Sequence, residues 1–444
     1  MKHVIVGNGP AGMTAALTIR SARPRDEVTV VTADEGAYYS KVREPDLLAG
    51  EAEPALLELA AESAIRSAGI ELVTGIAVRS LDRGARRVFL EDGRELSYDC
   101  LLLSTGASPI VPAVPGMHAG TDPGRPLPTG VFALRTLRDA RRLAAAAGRA
   151  RNAVVVGGGF IGVHVAWALA ARGLDVTLVE KMPTLLPGGC DDTASSLVAA
   201  HLESRGVRVM LGCALESVAC SGGGEAGPCS GGGAGASLQV EVGGTTIPCD
   251  LAVLAVGVRP NTALARQARV EVAEGVVTDA TMATTVSGVW AAGDVAQTLD
   301  LATGRQGMLP LWPLAVAQGR IAGRNMAGLR ASYRGGLRIN PVHLGPLQVV
   351  SLGEIFPAGP WARVLTGPAP GRAPFHGGDH GRGLPAYFRI AFQDDRLVGV
   401  LLVGAVEAAG ILGSLIARAI RLRAQDEALR LVGAALRTAL PARL

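Results

Sequence analysis

Two segments of the chain share one order of apolar and small residues. In residues 4–12 and again in residues 154–162, an apolar run is broken by three spaced glycines, and a segment of helical character follows. Further apolar runs follow at residues 28–31 and 176–179. Apolar runs bounded by glycine are typical of strands buried on both faces of a parallel sheet. The pattern therefore predicts two βαβ units, each in a domain of its own.

The glycines of each segment have separate tasks in a turn that holds a phosphate. The first permits the tight exit from the strand, the second lets the backbone approach a pyrophosphate, and the third allows close packing of helix on strand. Backbone N–H groups and the positive end of the helix then face the anion. These glycines are Gly7, Gly9 and Gly12 in the first segment and Gly157, Gly159 and Gly162 in the second. Two such turns predict two bound dinucleotides.

An acidic residue about twenty residues beyond each turn is expected to bond the ribose hydroxyls of the nucleotide. After the first turn this residue is Glu35, or Asp34 if the connection is shorter, and after the second it is Glu180. A carboxylate also repels a 2′-phosphate, so Glu180 favours NADH over NADPH. Lys181 beside it leaves the choice between the two nucleotides open.

The rest of the chain predicts more strands, several connecting segments and a C-terminal part of different texture. Beyond residue 330 we expect loops, a hairpin and two terminal helices. Residues 397–417 contain a single charged residue, Glu407, but a strand followed by a helix accounts for them better than a membrane span. The other predicted segments are a helix at 56–67, strands at 70–73, 251–256 and 288–292, a Pro-rich linker at 109–128, and a Gly-rich surface loop at 221–236.

Composition limits the class of protein and its partners. The chain has 444 residues, 48% of them hydrophobic and 18% charged, which predicts a globular protein of two or three domains. The net charge is only +4 with scattered Lys and Arg, so no nucleic-acid partner is expected. The first strand begins at His3, which leaves no room for a signal segment. We therefore expect a cytoplasmic protein.

Cysteine and histidine positions predict neither a disulfide framework nor a metal site. The six cysteines lie at positions 100, 190, 213, 220, 229 and 249, without paired C-x-x-C spacing, which fits a reducing compartment. His376 and His380 flank Asp379, but the neighbouring glycines predict a loop there rather than a set of metal ligands.

Four further motifs accompany the two turns. They are residues 104–106 (S-T-G), 257–261 (G-V-R-P-N), 292–296 (A-G-D-V-A) and 312–320 (W-P-L-A-V-A-Q-G-R). With these motifs the chain resembles the FAD-dependent pyridine nucleotide-disulfide oxidoreductase family, and more closely its branch of NADH oxidases, rubredoxin reductases and coenzyme A disulfide reductases. The resemblance covers nearly the whole chain. It implies FAD at the first turn and NAD(H) at the second.

The resemblance also implies an α/β architecture of two Rossmann-like domains and a C-terminal α+β interface domain. The implied FAD-binding domain is discontinuous, with residues 1–115 and 251–329. The NAD(H)-binding domain is 116–250, and the interface domain is 330–444, which such proteins use for homodimers or hetero-oligomers.

By the family's pattern, Asp294 bonds the ribityl chain of FAD, and Val295 opens a helix toward the pyrimidine end of the flavin. The residues from Trp312 to Gln318 close over the isoalloxazine. Together, the turns and the resemblance give these cofactor-binding residues: Gly7, Gly9, Pro10, Ala11, Gly12, Asp34, Glu35, Ser40, Lys41, Thr105, Gly106, Gly157, Gly159, Phe160, Ile161, Gly162, Glu180, Gly257, Arg259, Gly293, Asp294, Val295, Trp312 and Pro313.

Departures from the family's pattern concern the residues that carry its chemistry. No cysteine precedes Cys100, and alignment through Pro45 and Gly50 places Val42 where the branch has a single redox cysteine. Without a thiolate there, attack on a disulfide has no carrier. His164 stands where the oxidase branch usually has Glu. It is a candidate to orient the nicotinamide or move a proton, with a buried histidine bonded to backbone as the alternative.

Lys41 is the candidate for stabilising the reduced flavin anion, because the family places a basic residue beside the ring in this segment. The alternative is a solvated lysine. Arg43 and Glu44 offer charges that could pair nearby.

The predicted reaction is hydride transfer between NADH and FAD, followed by delivery of electrons to an acceptor. The rubredoxin reductase likeness favours a redox protein such as rubredoxin or ferredoxin over oxygen or a quinone. A second hypothesis is the FAD subunit of a multi-subunit iron–sulfur oxidoreductase acting on aldehydes or 2-oxo acids, with residues 424–440 as a docking helix. A third, of another class, is a flavin-bearing sensor or structural protein.

Overall fold

Two five-stranded parallel sheets carry the two glycine turns, and in each the strand before the turn is central, with the next two strands of the sheet on one side of it. The computed structural model describes residues 1–36, 38–117, 126–220, 238–359, 362–368 and 387–421. In the first sheet the order is Val289–Ala291, Cys100–Leu103, Lys2–Val6, Glu27–Val31 and Glu71–Val73. In the second it is Val131–Ala133, Leu251–Leu254, Asn152–Val156, Asp175–Glu180 and Val207–Leu211. The predicted α/β class with two Rossmann-like domains is therefore confirmed.

A third five-stranded sheet is antiparallel and makes up the C-terminal α+β unit. Its order is Ile339–Leu344, Leu347–Gly353, Arg396–Val403, Tyr387–Gln393 and Ala362–Pro368. The smaller sheets are Val78–Asp82, Arg87–Leu90 and Glu95–Ser97; Leu215–Cys220, Leu238–Val242 and Thr245–Cys249; Val276–Val277, Ala296–Leu299 and Gln306–Met308; Tyr38–Tyr39 with Glu58–Ala60; and Ala107–Pro109 with Val258–Pro260.

The helices cover the faces of these sheets. The α-helices of the described ranges are Pro10–Ala22, Glu44–Ala49, Glu62–Ser67, Leu137–Ala147, Phe160–Ala171, Asp192–Glu203, Ala263–Gln267, Trp312–Met326 and Ala409–Ala417, and the 3₁₀ helices are Lys41–Arg43 and Pro54–Leu57. Each glycine turn leads directly into a helix, Pro10–Ala22 or Phe160–Ala171. Within the described ranges, every helix is too short or too polar to cross a lipid bilayer.

Two predicted boundaries differ from the structure. The strand Leu251–Leu254 pairs with Asn152–Val156, so it belongs to the second sheet, and the predicted domain boundary at residue 250 is too early. Residues 56–67 are not one helix, because Glu58–Ala60 forms a strand against Tyr38–Tyr39. The strand and helix predicted within 397–417 are present. Residues 221–236, 376–380 and 424–440 lie outside the described residues.

The chain crosses between the first two domains along two strands that are bonded to each other. Ala107–Pro109 leads into the second domain and pairs antiparallel with Val258–Pro260, which leads back. Asn261 fixes this junction, since its amide Nδ2 donates to the carbonyl of Thr105 at 2.9 Å and its Oδ1 accepts from the Ser108 hydroxyl at 2.8 Å. The true return crossing therefore lies near residue 258.

The C-terminal sheet is held against the second domain by apolar packing and by polar contacts. Val342, Leu344 and Val349 share a buried cluster with residues of the helix Phe160–Ala171. The Tyr387 hydroxyl donates to Asp191 Oδ2 at 2.5 Å, and a ring nitrogen of His201 lies 2.9 Å from the Leu344 carbonyl. A third contact joins His164 to the backbone of His343, and a fourth joins Arg389 Nη1 to Asp191 Oδ2 at 3.4 Å.

Candidate cofactor cleft

An open cleft of about 2150 Å³ runs from the first glycine turn, past the carboxyl ends of the first sheet, to the helix of the second turn. Ligands bind in this position in open α/β sheets. The predicted residues that line it are Gly7, Gly9, Pro10, Ala11, Asp34, Glu35, Lys41, Thr105, Gly106, Phe160, Ile161, His164, Arg259, Gly293, Asp294 and Trp312. The predicted residues outside its lining are Gly12, Ser40, Gly157, Gly159, Gly162, Glu180, Gly257, Val295 and Pro313.

The first turn has the geometry of a phosphate cradle. Gly7 has φ +110°, and a Cβ there would lie 2.2 Å from the Ser104 carbonyl oxygen. A Cβ on Gly12 would lie 1.9 Å from the carbonyl oxygen of Gly7, so the helix packs directly on the turn. Gly9 caps the helix without any side-chain hydrogen bond, and the first N–H groups of the helix remain available to an anion. This turn fits a pyrophosphate.

The second turn repeats this geometry. Gly157 has φ +109°, and a Cβ on Gly162 would lie 1.7 Å from the Gly157 carbonyl oxygen. Glu180 is 6% exposed and accepts two backbone hydrogen bonds, from Gly158 N–H at 2.6 Å and from Met182 N–H at 2.8 Å. The carboxylate is thus fixed at the end of its strand beside the turn, where a ribose-binding acid is expected.

The first turn has no acid at the corresponding position. Val6 pairs with Val31 as Val156 pairs with Val179, so Thr32 stands where Glu180 stands in the second unit. Its hydroxyl donates to Asn8 Oδ1 at 3.1 Å. The sequence contained a signal for this difference, because the residue directly after the second apolar run is Thr32 in the first unit and Glu180 in the second.

The two predicted acids of the first unit lie further along the loop. Asp34 accepts a hydrogen bond from the Tyr39 hydroxyl at 2.7 Å, while Glu35 is exposed and lies 3.5 Å from Arg138. Both line the cleft, so either remains a candidate for the ribose.

Charged side chains from separate parts of the sequence meet at the centre of the cleft. Lys41 Nζ donates to the Arg135 carbonyl at 2.9 Å and lies 5.4 Å from the centre of the Tyr39 ring. Burial, together with the Arg135 guanidinium, lowers the pKa of Lys41. Arg135 Nη2 lies 3.3 Å from Asp294 Oδ2. Lys41 is therefore a half-buried cation with a backbone partner, and its role beside the flavin stays a prediction.

Glu44 is a buried acid in the same cluster. Its side chain is 6% exposed, and burial raises its pKa to about 7 against the opposing effect of Lys41 and Arg135. Its Oε1 has no hydrogen-bond partner among the described residues. Arg43 does not pair with Glu44, because it turns outward to Asp46, with Nε 3.0 Å from Oδ2. A buried oxygen without a hydrogen-bond partner, as at Glu44 Oε1, with the cations Lys41 and Arg135 nearby, is typical of a binding site for a polar ligand.

His164 makes the hydrogen bonds expected of a buried histidine that is bonded to the backbone. Its Nδ1 lies 2.9 Å from the Phe160 carbonyl, and its Nε2 accepts from the His343 N–H at 3.2 Å. Burial lowers its pKa, so the ring is neutral at pH 7. The ring lines the cleft with both nitrogens engaged, and a role in catalysis stays a prediction.

The expected helix after Asp294 is wrong. Val295 is buried in a turn, and its carbonyl accepts a hydrogen bond from the Val276 N–H. The chain continues as the strand Ala296–Leu299. The helix that begins at the cleft is Trp312–Met326, and Gly319 and Gly323 in it allow close contact with Ala11 and Ala15.

Gln318, the last residue of the segment expected to close over the isoalloxazine, is a buried polar residue of this helix. It is 1% exposed, and its Oε1 accepts from Gly293 N–H at 2.7 Å, which holds the loop before Asp294. The Trp312 ring lies parallel to that of Tyr38, with centroids 6.0 Å apart. Asn8 and Arg135 also line the cleft and were not among the predicted site residues, while Glu44 was expected only as a charge that could pair with Arg43.

Among the residues that the structure describes, the lining of the cleft contains no cysteine. Val42 occupies the aligned position, with 63% of its surface exposed at the cleft. Cys100 lies beside His3 at the opposite end of the sheet, and burial raises its pKa to about 11. Burial also raises the pKa of Cys190 and of Cys249, each to about 12. These thiols are far from the thiolate form that disulfide chemistry needs.

Comparison with known proteins decides the family. A family model described as "Pyridine nucleotide-disulphide oxidoreductase" matches residues 1–319. The chain belongs to this family. It is 30% identical over 362 residues to an NADH oxidase of Methanocaldococcus jannaschii, which covers 80% of this chain and 76% of that protein.

Two further members of this family are similar over most of the chain. The epsilon subunit of an NADH-dependent phenylglyoxylate dehydrogenase of Aromatoleum evansii is 31% identical over 355 residues, with 80% of this chain and 79% of the subunit covered. The solved structure of a water-forming NADH oxidase from Lactobacillus brevis, bound to NADH, superposes with a TM-score of 0.83 and 26% identity, covering 95% of this chain and 91% of that one.

The protein is thus an FAD-dependent NADH oxidoreductase. The geometry of each glycine turn fits the pyrophosphate of a dinucleotide, and Arg135 and Asp294 line the cleft beside the first turn. Bound FAD supplies the capacity to take a hydride from NADH and release electrons singly or in pairs. The residues of this chain contribute the two glycine turns, the half-buried cation Lys41 and the buried acid Glu44.

Proposed function

We propose that this oxidoreductase carries electrons between NADH and a protein redox partner, and that no thiol of its own takes part. The observation that carries this proposal is Val42, an exposed apolar side chain at the cleft, where the branch has its single redox cysteine. Reduction of a disulfide or persulfide requires a cysteine thiolate at this position. Reduction of a peroxide through a sulfenic acid requires one as well. A carbon side chain leaves direct transfer from the reduced cofactor as the route.

The chain's residues perform positioning and electrostatic work in this reaction. Lys41 places a positive charge in the cleft, held by the Arg135 carbonyl, and stabilises negative charge that forms on reduction. The first glycine turn lines the cleft, and the helix that follows the second turn lines it through Phe160 and Ile161. Backbone N–H groups at each turn would hold a pyrophosphate.

Steady-state assays with the FAD-loaded protein test this proposal. NADH-dependent reduction of ferricyanide and of a small redox protein, rubredoxin or ferredoxin, should be fast, while coenzyme A disulfide and glutathione disulfide should not be turned over. Replacement of Cys100 by Ser should leave the dye rate unchanged. Robust disulfide reduction that is lost in Cys100→Ser would contradict the proposal. Slow turnover with every acceptor, despite bound FAD, would support the sensor hypothesis instead.

A second candidate function is that of the FAD subunit of a multi-subunit 2-oxo acid or aldehyde oxidoreductase. Similarity to the epsilon subunit of the phenylglyoxylate dehydrogenase, over 79% of that subunit, favours it. In such an assembly the partner is an iron–sulfur subunit, and electrons flow from it through FAD to NAD⁺. Affinity purification of the tagged protein from its native host tests this function. Co-purification of an iron–sulfur protein that reduces NAD⁺ with a 2-oxo acid is the expected result.

A further inference from the structure

Glu44 is a buried charged group of the cleft that the reaction above does not use. It begins the helix Glu44–Ala49, directly after the 3₁₀ turn that carries Lys41. Its side chain lines the cleft and is 94% removed from solvent, and its Oε1 has no partner among the described residues. A buried carboxylate with a free oxygen costs free energy unless it binds a proton or a ligand there.

The charges around Glu44 are arranged on several elements. Lys41 and Arg135 favour its ionised form, whereas Asp34 and Asp139 oppose it. Asp139 is committed to capping the helix Leu137–Ala147 through Thr136, and Asp34 accepts the Tyr39 hydroxyl. The two other acids are thus engaged by hydrogen bonds, and Glu44 is the member of the group with an open site for a proton.

We infer that Glu44 is the proton-accepting residue of flavin reduction in this protein: it binds one proton when the cofactor takes up negative charge, and it releases that proton on reoxidation. This inference rests on reduction of FAD by NADH and not on the identity of the acceptor. Hydride transfer moves two electrons and one hydrogen from NADH to FAD, which leaves NAD⁺ and an anionic reduced flavin. The carboxylate of Glu44 then takes one proton from the solvent, so that charge balances within the cleft.

The electrostatic reason is the closeness of two negative charges. An anion that forms beside Lys41 offsets the positive charge that keeps Glu44 ionised, and the carboxylate becomes a stronger base. In the absence of that anion the pKa of Glu44 is already about 7, so a modest further rise carries it through the physiological range. Proton uptake on reduction is therefore expected between pH 7 and the higher pKa of the reduced form.

The midpoint potential of the FAD-loaded protein, measured against pH by photoreduction with a dye standard, tests the inference without any acceptor. One linked proton changes the reduction equilibrium tenfold per pH unit, which equals about 30 mV for a two-electron couple. The unsubstituted protein should show this extra slope above pH 7, and Glu44→Gln should lose it. The matched control is Asp46→Asn on the same helix, whose parent side chain is exposed and paired with Arg43.

Infrared difference spectra of reduced minus oxidised protein give a second readout. A protonated carboxyl stretch should appear on reduction, and it should be absent in Glu44→Gln and present in Asp46→Asn. If Glu44→Gln does not retain FAD, the unsubstituted protein is compared with Glu44→Asp instead. The carboxyl band should then appear in both and differ in frequency between them. An unchanged potential slope in Glu44→Gln, or no carboxyl band in any form, would overturn the inference. Because dye and light supply the electrons, these results stay separate from any failure to find a protein acceptor.

Discussion

Arg135 Nη2 and Asp294 Oδ2 lie 3.3 Å apart across the cleft, and the two residues come from different domains. Arg135 follows the edge strand of the second sheet, and Asp294 follows the edge strand of the first. The guanidinium also lies over Gly106, where a Cβ would approach Nη2 to 2.7 Å. The pair connects the nucleotide domain to the predicted ribityl contact, so cofactor binding and domain position depend on one another here.

Arg135→Ala should weaken FAD binding about tenfold, or about 1.4 kcal/mol, because a charge-assisted contact of the cleft is lost. Fluorescence of flavin released on dilution measures this affinity. Arg141→Ala is the matched control, since its parent side chain is exposed on the helix Leu137–Ala147 and lies outside the lining of the cleft. Equal loss of FAD from both variants would show that Arg135 has no special role in holding the cofactor.

Lys41→Met should slow anaerobic reduction of the flavin by NADH by about tenfold or more, because the fixed positive charge near the reduced cofactor is removed. Stopped-flow absorbance of the flavin band gives the rate directly. Lys41→Arg keeps the charge and should retain most of the rate. A Lys41→Met protein that is reduced as fast as the unsubstituted one would leave Lys41 with a packing role only.

Glu180→Ala should lower the preference for NADH over NADPH by about tenfold in kcat/KM, because the acid that bonds ribose and repels a 2′-phosphate is lost. The ratio of the two kcat/KM values separates this effect from a general loss of activity. General loss is also expected, since the N–H groups of Gly158 and Met182 lose their acceptor. Lys181→Ala, on the neighbouring residue, should change the ratio little, and a reversed preference in the unsubstituted protein would refute the role of Glu180.

His164→Phe should reduce stability more than activity. Burial lowers the pKa of His164 in the folded protein, whereas the unfolded chain binds a proton near pH 6.5, so His164 makes stability fall as pH drops below about 6.5. The denaturant midpoint of the variant should depend less on pH in that range. The pH profile of NADH-dependent dye reduction should keep its shape, and loss of one limb of the profile would restore a proton-transfer role to His164.

The glycine turns could be predicted from the sequence because their requirements are local. A strand end, a left-handed backbone at Gly7 and Gly157, and a helix start are encoded within nine consecutive residues. The same holds for the strand and helix at residues 396–417, where a short apolar run and turn residues suffice. The local sequence pattern was therefore sufficient to predict the two glycine turns and the fold class.

The errors arose where pairing over long distances decides the structure. Leu251–Leu254 pairs with Asn152–Val156, and no feature of its own sequence tells which sheet it joins. Val295 was given a helix by resemblance, yet Val276 bonds its carbonyl and the chain continues as a strand. The same limit hid the charged centre of the cleft, because Glu44 and Arg135 are distant in sequence.

The paired crossings Ala107–Pro109 and Val258–Pro260 bring the start and end of the second domain side by side. An inserted module with adjacent entry and exit can be removed or replaced without stretching the host around it. The nucleotide domain of this chain is therefore a suitable unit for exchange. A domain of different coenzyme preference, joined at the same two strands, should lie in the same position relative to the FAD-binding domain.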